Sequence, residues 1–231
     1  MISTKKQFIF VHIPKTAGSS VSYCLRHSLD RASIFHRASN SLSKRVLGRR
    51  VFDPDGFQPL RNHATAREYR KHFGDHYWQM KSFSFVRNPY DLLVSMFSYM
   101  QQHHGHPEHE RVQGLSFRDY ILSTFDPDRP ARFQTQFLTD AKDRQIVHRI
   151  GRFETIGESF DDITRYIGLK VRLPHMNKSK RGKYIDHYDP ETIDRVAHVF
   201  QREFDLLGYS TDPTCTEFGP IKLERHPKLV D

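Results

Sequence analysis

Pro14-Lys15-Thr16-Ala17-Gly18-Ser19-Ser20 combines one fixed positive charge, three hydroxyls and a glycine within seven residues. Set between an apolar run and a helical repeat, this composition suits the capture of an anion. Backbone N–H groups and the positive end of a helix converge on the ligand, Lys15 adds a full charge, and Thr16, Ser19 and Ser20 add hydroxyl donors. Gly18 lets an oxyanion approach the main chain closely. The loop differs from a Walker A loop, which carries its lysine after the final glycine, whereas Lys15 precedes Gly18. Taken alone, the same residues also make an ordinary surface turn.

The elements around the loop narrow the choice. Residues 8–13 read Phe-Ile-Phe-Val-His-Ile, a short apolar run suited to a strand buried on both faces of a parallel sheet. Val21, Cys24, Leu25 and Ser28 then recur at helical spacing, so the loop joins a strand to a helix. Residues 82–86 predict a second strand. After it, Asn88-Pro89-Tyr90-Asp91 supplies an N-cap, a proline at the first helical position and a carboxylate in the first turn, and Leu92, Leu93, Met96, Phe97 and Met100 line one face of the helix. Residues 64–74, 117–122 and 131–138 predict helices. Residues 150–153 predict a strand before a helix capped by Ser159 and Asp162 and ended by Gly168. The last long helix starts at Asp189-Pro190, buries Ile193, Val196, Phe200, Phe204 and Leu207, and stops at Gly208. Strands alternating with helices predict an α/β fold with a central parallel sheet flanked by helices. The expected organisation is a single domain over 1–231, with a long irregular insertion at about 37–62 and a proline-containing tail at about 210–231.

Two motifs carry a family resemblance. His12-Ile13-Pro14-Lys15-Thr16-Ala17-Gly18-Ser19-Ser20 resembles the 5'-phosphosulfate loop of the carbohydrate sulfotransferases, and Phe85-Val86-Arg87-Asn88-Pro89-Tyr90-Asp91-Leu92-Leu93-Val94-Ser95 resembles their 3'-phosphate motif. Both stand in the family's order at the end of a strand that feeds a helix. The similarity continues through Asn62-His63-Ala64-Thr65-Ala66-Arg67, Gly151-Arg152-Phe153-Glu154, Leu173-Pro174-His175-Met176-Asn177-Lys178-Ser179 and the segment 204–209. Leu92 departs from the pattern, since the family often has arginine there, and bears on local packing.

The resemblance implies a P-loop nucleotide-kinase-like sulfotransferase fold and a donor, 3'-phosphoadenosine-5'-phosphosulfate (PAPS), that leaves as 3'-phosphoadenosine-5'-phosphate (PAP), with no metal. It assigns Lys15, Thr16, Ala17, Gly18, Ser19 and Ser20 to the phosphosulfate, with Lys15 on the departing bridging oxygen. Arg87 and Ser95 fall on the 3'-phosphate, which distinguishes PAPS from ATP. A hydroxyl acceptor calls for a base, and His63 stands where related enzymes place a catalytic His or Glu. Ser179, Arg181 and Lys183 belong to a late basic loop that closes over the nucleotide in similar enzymes; a solvated loop has the same composition. Arg152 and Glu154 are expected to form a buried ion pair, and His12 to act in packing or loop orientation. The acceptor implied is the hydroxyl of a glycan or glycolipid.

Composition bounds the partners. Lys and Arg total 36 against 27 Asp and Glu, a net charge of +9, which favours an anionic ligand. Two cysteines, Cys24 and Cys215, make no disulfide framework and fit a reducing, cytoplasmic setting. No apolar run reaches the roughly 20 residues of a membrane span, which leaves peripheral membrane contact open. His103, His104, His106 and His109 lack the spacing of a metal site and read as an acceptor-side loop. Two other functions would want different residues. A small-molecule kinase wants a Walker-type lysine and a magnesium carboxylate. A non-catalytic polyanion-binding module wants only charge, and no specific nucleic acid motif is present.

Overall fold

A computed structural model of the chain describes residues 1–3, 6–25, 63–173 and 182–230. Among them, four strands form one sheet in the order β1 (Ile2–Ser3), β2 (Phe8–Phe10), β3 (Lys81–Val86) and β4 (Arg149–Arg152). β2, β3 and β4 run parallel, with Phe10 opposite Phe83 and Val86 opposite Arg152. β1 adds an antiparallel edge, Ile2 opposite Ile9, so the sheet is mixed at its margin and parallel at its centre. The helices among the described residues are α1 (Gly18–Leu25), α2 (Ala66–Phe73), α3 (Pro89–Gln102), α4 (His109–Val112), α5 (Phe117–Thr124), α6 (Thr135–Leu138), α7 (Ile156–Tyr166), α8 (Pro190–Val199) and α9 (Gln201–Leu207). The fold is α/β, as the alternation of elements predicts.

Successive side chains of a strand face opposite ways, and this alternation builds the two layers. On one face Phe8, Phe10, Phe83 and Phe85 pack with Val21 and Leu25 of α1 and Phe160 and Ile163 of α7. On the other, Ile9, Val11 and Val86 join the larger core of α2, α3, α5, α8 and α9. Phe8, Ile9, Phe10 and Val11 are all fully buried, so the first strand is covered on both faces. Serines on the second face of β3 are matched by partners. The Ser84 hydroxyl donates to the Val11 carbonyl at 2.7 Å, and the Ser82 hydroxyl lies 2.7 Å from His148 Nδ1.

Helix starts follow their capping chemistry. Asn88 accepts from the Tyr90 N–H and Pro89 opens α3. Thr65 and Glu68 form a reciprocal capping box on α2, and Asp189 and Thr192 do the same on α8, each cap contributing about 1 kcal/mol. Three expectations need correction. α7 starts after Thr155, and Ser159 is inside it, because its hydroxyl turns back to accept the Arg152 N–H at 3.0 Å. Of residues 131–138 only Thr135–Leu138 is helical: the buried Glu203 carboxylate accepts the N–H groups of Phe133, Gln134 and Thr135 and fixes the chain at the start of α6. The last helix divides at Phe200 into α8 and α9.

Gly208 ends α9 in the left-handed region at φ 69°, and a Cβ there would meet the Gly219 and Pro220 carbonyls at 2.5 Å. Both the turn and the close crossing therefore require glycine. The crossing strand belongs to the tail, which packs on the body: Lys222 N–H donates to the Leu206 carbonyl, and Leu223 and Leu229 are buried. The irregular insertion expected at 37–62 lies outside the described residues.

Candidate functional site

The strand-to-helix turn after Phe10 is held in a rare conformation. Lys15 and Ala17 both adopt left-handed backbone, φ 64° and 67°, with Thr16 between them. Alternating helical handedness turns successive N–H groups toward one concavity, the geometry of an anion nest. Each non-glycine residue in this region costs of order 1 kcal/mol and persists only where its surroundings over-determine it. Part of that determination is visible: the Thr16 hydroxyl, fully buried, donates to the Ile13 carbonyl at 2.9 Å. Its single proton is thereby engaged, so Thr16 can offer a ligand only its backbone N–H. Ser19 is exposed and Ser20 half-buried in the first turn of α1.

Gly18 has a separate reason to be glycine. A Cβ there would lie 1.6 Å from His12 Nε2, so the imidazole of His12 occupies the space a side chain would need. That ring stacks on Phe10, with centroids 5.5 Å apart and planes 17° from parallel, and touches the His63 ring at 4.3 Å. Burial and the neighbouring His63 press the His12 pKa down from 6.5 to about 3, so His12 is neutral at physiological pH. His63 is itself left-handed, φ 63°, and its Nδ1 sits 3.0 Å from the His12 carbonyl. A carbonyl only accepts, so Nδ1 carries a proton, which leaves Nε2 as the nitrogen that can exchange one.

Arg87 meets the loop from β3. Its Nη1 donates to the Lys15 carbonyl at 3.0 Å, and Nε and Nη2 hold Asp91 Oδ2 at 2.8 and 2.6 Å. The guanidinium lies 3.9 Å from the Phe153 ring centroid and is 4% exposed. Its backbone is fixed as well, since the Gln134 side-chain amide accepts the Arg87 N–H and donates to the Arg87 carbonyl, both at 2.8 Å. Two turns into α3, Ser95 is buried and its hydroxyl makes no hydrogen bond to the described residues. One further turn on, the Tyr99 ring carries the Lys15 ammonium 4.2 Å from its centroid. Asp91, Ser95 and Tyr99 thus succeed one another at i, i+4 and i+8 on α3, and Asp91 and Tyr99 both reach the loop through Arg87 and Lys15.

Other expectations divide. Arg152 and Glu154 do not pair. Arg152 donates through Nη2 to the Leu207 and Gly219 carbonyls and lies between the Tyr209 and Phe218 rings, while Glu154 accepts from the Asn88 N–H at 2.6 Å and the Tyr209 hydroxyl at 2.9 Å. These two residues, two apart at the end of a strand, turn to different neighbours, and Tyr209 contacts both. Ser179 and Arg181 lie outside the described residues. Lys183 is exposed at the start of a 3-10 turn, Tyr184–His187; just beyond it the Tyr188 hydroxyl donates to the Tyr90 carbonyl, so this segment borders the start of α3. The histidines after α3 are tied to one another and to the helix end: His104 to His109 at 3.0 Å, His109 to the Met100 carbonyl at 2.9 Å, and His103 against Tyr99 with centroids 3.8 Å apart. Among the described residues no group of three or more His, Cys, Asp or Glu could hold a metal ion, and no helix is long and apolar enough to cross a membrane.

Sequence reasoning missed Gln134, Asp91, Tyr99 and Phe153 as parts of the site. Asp91 was legible, four residues after Arg87 and in the helix's first turn. Gln134 and Phe153 reach Arg87 only through tertiary folding and left no local signal.

An α/β sheet, parallel at its centre, carries a left-handed turn beyond one strand and a buried arginine beyond the next, an arrangement whose charge and N–H groups suit an anion. The family model described as the sulfotransferase family matches residues 1–210, and the chain belongs to that family. It is a sulfotransferase: an enzyme that moves a sulfuryl group from a sulfate donor to an acceptor. No curated protein and no solved structure matched the chain.

Proposed function

We propose that the donor is PAPS, that the acceptor is a hydroxyl of a carbohydrate or glycolipid, and that His63 removes the hydroxyl proton as sulfur is transferred in line. The observation that carries the reading is the bond from Arg87 to the Lys15 carbonyl, which joins the two anion-binding ends within one hydrogen bond. Lys15, Thr16, Ala17, Gly18, Ser19 and Ser20 hold the 5' end, and Arg87 and Ser95 the 3'-phosphate. The fit is supported by Ser95, a buried residue whose hydroxyl makes no hydrogen bond to the described residues, and by the left-handed Lys15 and Ala17 beside a glycine that tolerates no side chain. The PAPS adenosine carries an anion at both ends, and this site has groups suited to each.

Charge and proton bookkeeping follow from these roles. In the transition state charge builds on the oxygen that bridges sulfur and phosphorus, and the Lys15 ammonium stabilises it there. Nε2 of His63 takes the acceptor proton while Nδ1–H stays on the His12 carbonyl, so the imidazolium formed keeps its orientation. Lys183, with Ser179 and Arg181, is assigned to the nucleotide by the same reading. No metal is required, since lysine, arginine and the nest supply the positive charge. The site belongs to a single domain, and with only two cysteines in the sequence, Cys24 and Cys215, the reading places the enzyme in the reducing cytoplasm.

The test is transfer of radiolabelled sulfate from PAPS to extracted glycolipids and to oligosaccharides, with protein acceptors in parallel. Label in the carbohydrate fractions is expected. Label confined to protein tyrosines would overturn the acceptor class, and no transfer to anything with PAP bound would overturn the reaction.

A further inference from the structure

Among the described residues, the His12 ring touches both the loop at Gly18 and the His63 imidazole. Its Nε2, Cδ2 and Cε1 would all lie within 2.4 Å of a Cβ built on Gly18, so the imidazole is packed directly on the first residue of α1. Its other neighbours are Phe10, stacked beneath it, and His63, with ring centroids 4.3 Å apart and planes at 54°. Its ring nitrogens make no hydrogen bond to the described residues, which is unusual for an imidazole this enclosed. What the ring offers is therefore shape. The backbone carbonyl of the same residue fixes Nδ1 of His63, so His12 constrains the base at two points, through the carbonyl and through the ring face.

We propose that the His12 side chain is a positioning residue for sulfuryl transfer: an uncharged wedge that fixes the His63 imidazole relative to the loop bearing Lys15 and Gly18. This rests on the reading of His63 as the base. The wedge acts because the separation between base and donor loop sets whether the acceptor oxygen can lie in line with sulfur, and a misplacement of about 1 Å can cost on the order of 100-fold in rate. A proton on His12 would set a cation against the imidazolium that His63 becomes. Burial, which keeps His12 neutral down to about pH 3, removes that conflict.

The experiment compares the His12→Ala, His12→Phe and His63→Ala variants for kcat, donor KM, PAP affinity by calorimetry, and the nitrogen-15 NMR signature of the His63 tautomer. For His12→Ala we expect kcat to fall 10- to 100-fold with PAP affinity within about threefold of the parent, and loss of the single protonated-Nδ1 signature. His12→Phe, which keeps a planar ring and cannot ionise, should recover most of kcat and the His63 signature. Near-parental kcat in His12→Ala would overturn the proposal. So would a His12→Phe enzyme as slow as His12→Ala although folded and PAP-binding, since that result makes the nitrogens necessary and places His12 among the reacting groups. If His12→Ala fails to fold by thermal melting, His12→Phe and its NMR signature decide alone. Parental turnover in His63→Ala, by contrast, removes the base reading itself and with it this role for His12.

Discussion

The Arg87 guanidinium donates to the main-chain carbonyl of Lys15 at 3.0 Å, so residues 72 positions apart at the ends of two neighbouring parallel strands are joined directly. The same guanidinium holds Asp91, and the Lys15 ammonium rests over Tyr99 four residues beyond Ser95. The loop bearing Lys15 and the start of α3 are thus one mechanical unit. Disturbing one end is expected to be felt at the other.

Arg87→Ala should weaken PAP far more than adenosine-5'-phosphate, by about 2 to 3 kcal/mol against less than 1, because a charge-assisted contact to the 3'-phosphate is lost in one case only. Calorimetry with both ligands measures the difference. Equal losses would mean that Arg87 acts through the Lys15 carbonyl and not on the 3'-phosphate.

Lys15→Ala should lower kcat by about 100- to 1,000-fold while weakening PAP by less than tenfold, since the ammonium is needed most when the bridging oxygen acquires charge. Single-turnover kinetics beside PAP titration separates the two. A mutant whose turnover and product affinity drop in proportion has lost ground-state binding instead.

Gly18→Ala forces a methyl to within 1.6 Å of His12 Nε2, so either the ring or the first turn of α1 must move. Overpacking of this kind costs about 1 to 3 kcal/mol, and chemical denaturation should show a loss in that range together with impaired PAP binding. An alanine variant with parental stability would show that the His12 ring yields at little cost.

The depressed pKa of His12 sets a window for acid sensitivity. Its ordinary value of 6.5 applies to the unfolded chain and about 3 to the folded one, so between these values the unfolded state binds the extra proton. Stability from this group is therefore complete above about pH 6.5 and declines as pH falls toward 3. By linkage the slope approaches 1.4 kcal/mol per pH unit, about 2 kcal/mol between pH 6.5 and 5. Urea denaturation of the parent and His12→Phe at pH 7 and 5 should show the parent losing about that much more.

Local chemistry made much of this site readable in advance. The apolar run before Pro14, the Asn88-Pro89 cap and the order of two loop motifs placed Lys15 and Arg87 just beyond two strands that the sheet brings side by side, with Gly18 and Ser95 on the helices that follow. These features are encoded within a few residues of one another, where periodicity and capping act. The missed parts depend on distant chain. Gln134 reaches the Arg87 backbone across 47 positions, and the Glu203 carboxylate, about 70 positions away, takes up the N–H groups of residues 133–135 where the observed helix starts later than expected. Arg152 and Glu154 looked like a pair because opposite charges two apart in sequence invite it. In the folded chain Tyr209 and the carbonyls of Leu207 and Gly219 compete for them and win.

Calorimetric titration of the parent protein with PAP, ATP and a short single-stranded oligonucleotide tests the joined anion sites most directly. PAP is expected to bind in the micromolar range or tighter, about −8 kcal/mol or below, with ATP at least tenfold weaker and the oligonucleotide weak and abolished by moderate salt. Affinity for ATP equal to or above that for PAP, or heat only from the oligonucleotide, would contradict a site built to hold a phosphate at each end of adenosine.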